Sequence, residues 1–187
     1  MKYLIAGLGN IGDTYKDTRH NIGFTILDAL AEASNMVFED KRYGFVGELT
    51  HKARIYLLLK PSTFVNLSGK AVNYWLNKGK IPPENLLVVV DDISLPFGTL
   101  RLRPGGGDAG HNGLFDISQV LGHQNYARLR FGIGKEFMPS GQVNHVLGEW
   151  SDNEKALLPE RIALAAEAIK SFGVIGVERT MNLYNNK

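Results

Sequence analysis

Hydrophobic runs of strand length recur along the chain, and three of them end in a short polar motif. Residues 2–8 (KYLIAGL) lead to Gly9-Asn10, residues 54–59 (RIYLLL) to Lys60-Pro61 and on to Asn66, and residues 86–90 (LLVVV) to Asp91-Asp92. Five aliphatics in a row, with no polar alternation, predict a strand buried on both faces at the centre of a sheet. Asp91 is thereby placed at the rim of the core. Ile22, Ile26, Leu27 and Leu30 recur at helical spacing and predict a helix over 21–34, entered from a polar loop at 9–19. Strands over 44–50 and 54–59, separated only by His51-Lys52-Ala53, read as a hairpin. A helix over 68–77 is stopped by Ile81-Pro82-Pro83, because proline removes a donor and clashes with the preceding turn.

Further along come a strand at 99–103, a loop with glycines at 105, 106, 107, 110 and 113, a helix at 114–121 and a strand at 127–133. Ser151-Asp152-Asn153-Glu154 has the form of a capping box. It opens an amphipathic helix with Leu157, Ile162, Ala165, Ala166 and Ile169 on one face, which Pro159 is expected to kink or restart. Alternating strands and helices predict an α/β architecture. In such sheets the working surface lies at the carboxyl ends of the strands, so the three polar motifs should converge on one crevice.

The 187 residues contain no repeat, low-complexity tract or dividing linker, and are expected to form one domain with its own core. With no cysteine there is no disulfide framework and no thiolate nucleophile. No apolar stretch approaches membrane-spanning length and no signal peptide is visible, so a soluble, unprocessed protein is expected. A net charge of +2 does not announce a nucleic-acid binder by itself. Any phosphate contact must be local, and Arg101, Arg103, Arg128, Arg130 and Lys135 form the densest basic stretch.

Gly7 to Gly12 spell G-x-G-x-x-G after a strand, the dinucleotide fingerprint. In a dinucleotide fold the helix starts inside the motif, whereas here polar residues 13–19 prolong the loop. A serine-nucleophile elbow is absent, and His20, His51, His111, His123 and His145 show no compact metal-ligand spacing. The inventory of asparagines, a carboxylate and a nearby His20 suits the activation of water. His20 precedes a helix, whose dipole disfavours a positive imidazolium there and favours the proton-accepting form. If Asp91 reaches the ring, it fixes the tautomer and stabilises the charge that appears once a proton is taken. Asn10, Asn66 and Asn112 offer amide donors and acceptors in neighbouring loops, and Tyr15 and Phe64 are aromatics that could stack on a substrate.

Five ordered blocks carry a resemblance: GLGNIG through TRHN to Gly23 (residues 7–23), KPSTFVNLSG (60–69), DDISLPFG (91–98), GGGDAGHNGL (105–114) and RLRFGIG (128–134). Together they resemble bacterial-type peptidyl-tRNA hydrolases. The resemblance implies a single three-layer domain over 1–187, with a mixed, mostly parallel twisted sheet flanked by helices. It implies a cytoplasmic, monomeric enzyme, without cofactor or metal and away from membranes, that cleaves the ester between a peptide and the terminal ribose of tRNA. His20 would be the general base, Asp91 its partner, and Asn10 the residue that tells a blocked amino group from a free one. Tyr15, Phe64, Asn66, His111 and Asn112 would contact the aminoacyl or ribose end, and Arg101, Arg103 and Arg130 phosphates of the acceptor stem. Three positions depart from the family pattern: Ile11 where proline is usual, Val65 for methionine, and Phe115 where a basic residue often stands. An RNA-binding relative without catalysis is the alternative from another class, and retention of His20, Asp91 and the three asparagines weighs against it.

Overall fold

Backbone packing against backbone sets the centre of the fold. The computed structural model describes residues 1–136 and 139–187. The first strand, β1 (Lys2–Gly7), lies directly under the first helix, α1 (Ile22–Ala33). A Cβ on Gly23 would sit 2.5 Å from the Leu8 nitrogen and 2.6 Å from the Val89 oxygen, and one on Gly7 would collide with the Gly23 carbonyl. The glycines read as a dinucleotide fingerprint thus include one whose task is close helix-strand approach. Two 3-10 turns, Asp13–Tyr15 and Arg19–Asn21, fill the interval before α1, which begins well past the motif, as the polar loop predicted.

The remaining elements are β2 (Glu39–Lys41), β3 (Gly44–His51), β4 (Arg54–Pro61), α2 (Ser68–Gly79), β5 (Leu86–Asp92), β6 (Leu100–Arg103), α3 (Asn112–Leu121), β7 (Ala127–Gly132), α4 (Gln142–Val146), α5 (Asp152–Ile175) and α6 (Val177–Tyr184). The seven strands form one sheet in the order β2-β3-β4-β1-β5-β7-β6. Its four inner strands run parallel, while the β2-β3, β3-β4 and β6-β7 pairs are antiparallel. Alternate residues supply two cores. Tyr3, Ile5, Leu87 and Val89 face α1 and α5, whereas Leu4, Ala6, Leu86, Val88 and Val90 face α2 and α3. The result is helices on both faces of a mostly parallel sheet, with every residue of β5 buried.

The outer strand β6 is capped by the last residues of the chain. The Leu102 amide donates to Asn185 Oδ1 at 2.7 Å, and the Asn186 amide donates to the Leu100 carbonyl at 2.9 Å. Such cover removes the free donors of an edge strand. The capping box is present, and α5 continues through Pro159 as one helix of 24 residues, so the helix does not restart there. The amide missing at Pro159 would have served the carbonyl of Lys155, which is exposed and can turn to solvent. Leu157 likewise departs from its predicted buried face and lies outside. Short elements β2, α4 and α6 carried too little periodicity to be anticipated. Among the described residues no helix is long and apolar enough to cross a membrane.

The glycine contact can be tested by urea denaturation: Gly23→Ala should cost about 3 kcal/mol, the upper range of overpacking, because its obstacles are backbone atoms of Leu8, just past β1, and of Val89 in β5.

Candidate active site

β5 delivers Asp91 to the carboxyl end of the sheet with only 4% of its surface exposed. Two imidazoles meet one of its oxygens. His20 Nδ1, from the 3-10 turn before α1, and His111 Nε2, from the glycine-rich loop, each lie 2.9 Å from Oδ1. Burial alone would raise the Asp91 pKa, but His111 and then His20, by charge and hydrogen bond, pull it well below the usual carboxylate range. An ionised carboxylate only accepts, so both ring nitrogens must donate. His111 corroborates this from its far side, where Nδ1 accepts from the amides of Gly113 at 3.1 Å and Leu114 at 3.4 Å and so caps α3. In the neutral state His20 therefore carries its hydrogen on Nδ1, and Nε2 is left as a bare acceptor.

His20 borders a cavity of about 140 Å³, together with Asp91, Asp92, His111, Asn112 and Arg130. The short helix α4 contributes Gln142, Val143 and Val146 to its wall. The expectation that the helix dipole keeps His20 neutral misjudges the balance. Burial lowers its pKa, yet the charge of Asp91 and the hydrogen bond to it prevail, and the net shift is upward from 6.5. A full charge in contact outweighs the partial charge of about half a unit at a helix end.

His20, Asp91 and His111 also form the one cluster among the described residues whose ligand atoms lie within 4.8 Å of one another, a grouping invisible in sequence spacing. Both imidazole nitrogens facing the carboxylate carry hydrogens, and His111 Nδ1 is spent on helix amides. The donor set is arranged for hydrogen bonding rather than for ligating a cation.

Asn10, after β1, is fixed by a residue that sequence reasoning passed over. Asn21 is 2% exposed, and it grips the Asn10 backbone twice: its Oδ1 accepts from the Asn10 amide at 2.8 Å and its Nδ2 donates to the Asn10 carbonyl at 2.9 Å. Asn10 Oδ1 accepts from the Val65 amide at 2.8 Å, so its Nδ2 is the part left for a ligand. Asn66 is exposed in the 3-10 turn Val65–Leu67, and Asn112 is the exposed first residue of α3. The Gly69 amide donates to Asp116 at 2.7 Å, which ties the start of α2 to α3. Tyr15 and the half-exposed Phe64 meet edge to face at 6.2 Å between ring centres.

The arginines separate into distinct environments. Arg101 and Arg103 on β6 stand opposite Arg130 and Arg128 on β7. Arg128, which its place in the basic stretch made a possible phosphate ligand, is fully buried over the Tyr126 ring and unavailable to any polyanion; burial pushes its pKa down. Both Arg128 and Arg130 donate to the Gly107 carbonyl, at 3.0 and 2.9 Å, and so hold the glycine loop in place. Arg130 also lies 3.6 Å from Asp92 and faces the cavity rather than the outer surface. Arg101 bonds Asn186 at 3.1 Å, while Arg103 and Lys135 are exposed. Phe115 is 53% exposed, where a basic side chain would have been free to reach outward.

Comparison with known proteins adds an independent line. Residues 4–187 match the family model for peptidyl-tRNA hydrolase. The chain is 60% identical to the peptidyl-tRNA hydrolase of Phocaeicola vulgatus and 58% identical to that of Bacteroides fragilis, over the full length of each. Its fold is similar to the crystal structure of peptidyl-tRNA hydrolase from Acinetobacter baumannii, with a TM-score of 0.91 and 34% identity over 98% of this chain and 95% of that one.

Proton NMR titration reads the electrostatic balance. His20 should titrate above 6.5 in the wild type and below it in Asp91→Asn, where burial acts without the opposing charge.

Proposed function

The chain belongs to the peptidyl-tRNA hydrolase family, and we propose that it cleaves the ester joining a peptide, or any N-blocked aminoacyl group, to the terminal ribose of tRNA by direct attack of water. Such an activity recycles tRNA released prematurely from ribosomes. We place the enzyme in the cytoplasm as a monomer comprising one domain, residues 1–187. The observation that carries the mechanism is the His20 ring, which lines the cavity and commits Nδ1 to Asp91, so that Nε2 is the nitrogen left to act as base.

Nε2 takes a proton as the water oxygen bonds to the ester carbon, and Asp91 stabilises the imidazolium so formed. His111 orients Asp91 by filling the same oxygen. The carbonyl oxygen becomes an oxyanion, for which Asn112 and Asn66 are the available amide donors. Collapse breaks the bond to the ribose oxygen, which receives the proton from His20; the acyl group leaves as a carboxylic acid. A positioned base contributes roughly 10² to 10⁴ and an oxyanion donor about 10² to 10³, enough for an activated ester without a covalent intermediate.

Asn10 supports selection of blocked substrates. Because Oδ1 is occupied by the Val65 amide, Nδ2 presents only N–H donors. A peptide carbonyl beside the α-nitrogen can accept from them, whereas the ammonium of an ordinary aminoacyl-tRNA brings further donors and a charge that is costly to bury. Tyr15 and Phe64 form an aromatic wall near the same loop, suited to stacking on the substrate. Arg101 and Arg103 on the outer strand, with Arg130 nearer the reaction, supply the positive charge for the acceptor stem. Phe115 adds none, which places more of the phosphate contact on β6.

Hydrolysis of N-acetyl-aminoacyl-tRNA tests the reading. His20→Ala should lower turnover on the order of 10² or more with the fold retained, and an unaffected rate would refute the mechanism. Asn10→Ala should narrow the preference for N-acetylated over free aminoacyl-tRNA. Arg103→Ala should weaken tRNA binding and reduce the salt dependence of log Kd by about one unit of slope, measured by titration at several salt concentrations.

A further inference from the structure

Taken in sheet order from β6, the strands present Arg101 and Arg103, then Arg130 on β7, Asp91 with His20 at the end of β5, and Asn10 just beyond β1. Next come Lys60 near the end of β4 and Phe45 on β3, which stand opposite each other across the β3-β4 pair. A peptidyl-tRNA is linear too: phosphates, ester, blocked α-nitrogen, upstream peptide. The hydrolase reading accounts for the first three, and a site for the fourth rests on that reading.

A depression of about 290 Å³ begins at Asn10 and extends to Phe24, Phe45 and Lys60. It shares no lining residue with the cavity over His20. The two are joined through Asn21, which follows His20 directly and clamps the Asn10 backbone. A chain attached to an ester beside His20 and held at its blocked nitrogen by Asn10 Nδ2 has this depression ahead of it.

We propose that this depression is the subsite for the peptide residue immediately upstream of the ester-linked one, taking an apolar side chain against Phe24 and Phe45 and a backbone carbonyl on the Lys60 ammonium. The surroundings define that chemistry. Lys60 is paired with Asp28, and its ammonium lies 4.3 Å from the Phe38 ring centre, 5.8 Å from that of Phe24 and 5.9 Å from that of Phe45. An ammonium has three donors, and one pairing with Asp28 leaves capacity for a neutral acceptor. Asp28 and Asp13 balance Lys60 and Lys16 around the rim, so the site suits an uncharged segment better than an anion. Ile11, 39% exposed, adds apolar surface at the entrance, where a polar side chain would have served a nucleic acid better.

Three substrates with the same ester-linked residue provide the test: N-acetyl-aminoacyl-tRNA, and N-acetyl-dipeptidyl-tRNAs with Leu or Asp upstream. Wild-type kcat/KM should be about tenfold higher for the Leu dipeptide than for the other two, the discrimination expected of a modest apolar contact. Phe45→Ala should reduce that ratio severalfold, Phe45→Leu should restore most of it, and Lys60→Met should raise KM for both dipeptidyl substrates but not for N-acetyl-aminoacyl-tRNA. A wild-type ratio near one overturns the subsite, as does a Phe45→Ala loss shared equally by all three substrates. A wild type inert toward N-acetyl-aminoacyl-tRNA itself would overturn the hydrolase reading instead, and the subsite with it.

Discussion

One carboxylate oxygen, Oδ1 of Asp91, accepts hydrogen bonds from two imidazoles, and three parts of the chain depend on that meeting. β5 supplies the carboxylate, the turn before α1 supplies His20, and the glycine loop supplies His111, which also caps α3. A buried carboxylate is costly unless paired and fully hydrogen-bonded. Here the two ring N–H groups meet the cost, and in doing so they remove rotational and tautomeric freedom from both histidines. The raised pKa of His20 is a consequence with two sides: its bare nitrogen is a stronger base, but a larger fraction is already protonated at neutral pH.

Around this centre, orientation is built from groups that hold other residues in place. Asn21 sets the Asn10 backbone, and the Val65 amide takes Asn10 Oδ1, so that only a donor is presented. Arg128 and Arg130 converge on the Gly107 carbonyl and give the glycine-rich loop a fixed path despite its composition. Arg19 bonds Glu154 at 2.8 Å, and the same Glu154 oxygen accepts from the Ser151 amide at 2.7 Å. The helix cap at the start of α5 is therefore also an anchor for the residue next to His20.

Much of the scaffold was legible because it rests on local periodicity. The uninterrupted aliphatics of β5 announced a central strand and put Asp91 at its end, and Ile22, Ile26, Leu27 and Leu30 marked the buried side of α1. Pro159 misled because local propensity says nothing about an exposed face on which a lost bond can be replaced by solvent. The ordered motif blocks named candidate residues, but not how they are oriented. The Asn21 clamp spans eleven positions, and His111 meets Asp91 across twenty. Arg128 looked like its neighbours Arg101 and Arg103, and only the loop folded over it separates a buried strut from a surface charge.

The central claim concerns where hydrogens sit on two rings, and ¹⁵N NMR of histidine-labelled protein above the His20 titration reads that directly. The account predicts His20 as the Nδ1–H tautomer with Nε2 bare, and His111 as the Nε2–H tautomer with Nδ1 accepting. A His20 ring carrying its hydrogen on Nε2 would contradict it, since no lone pair would then face the cavity to receive a proton.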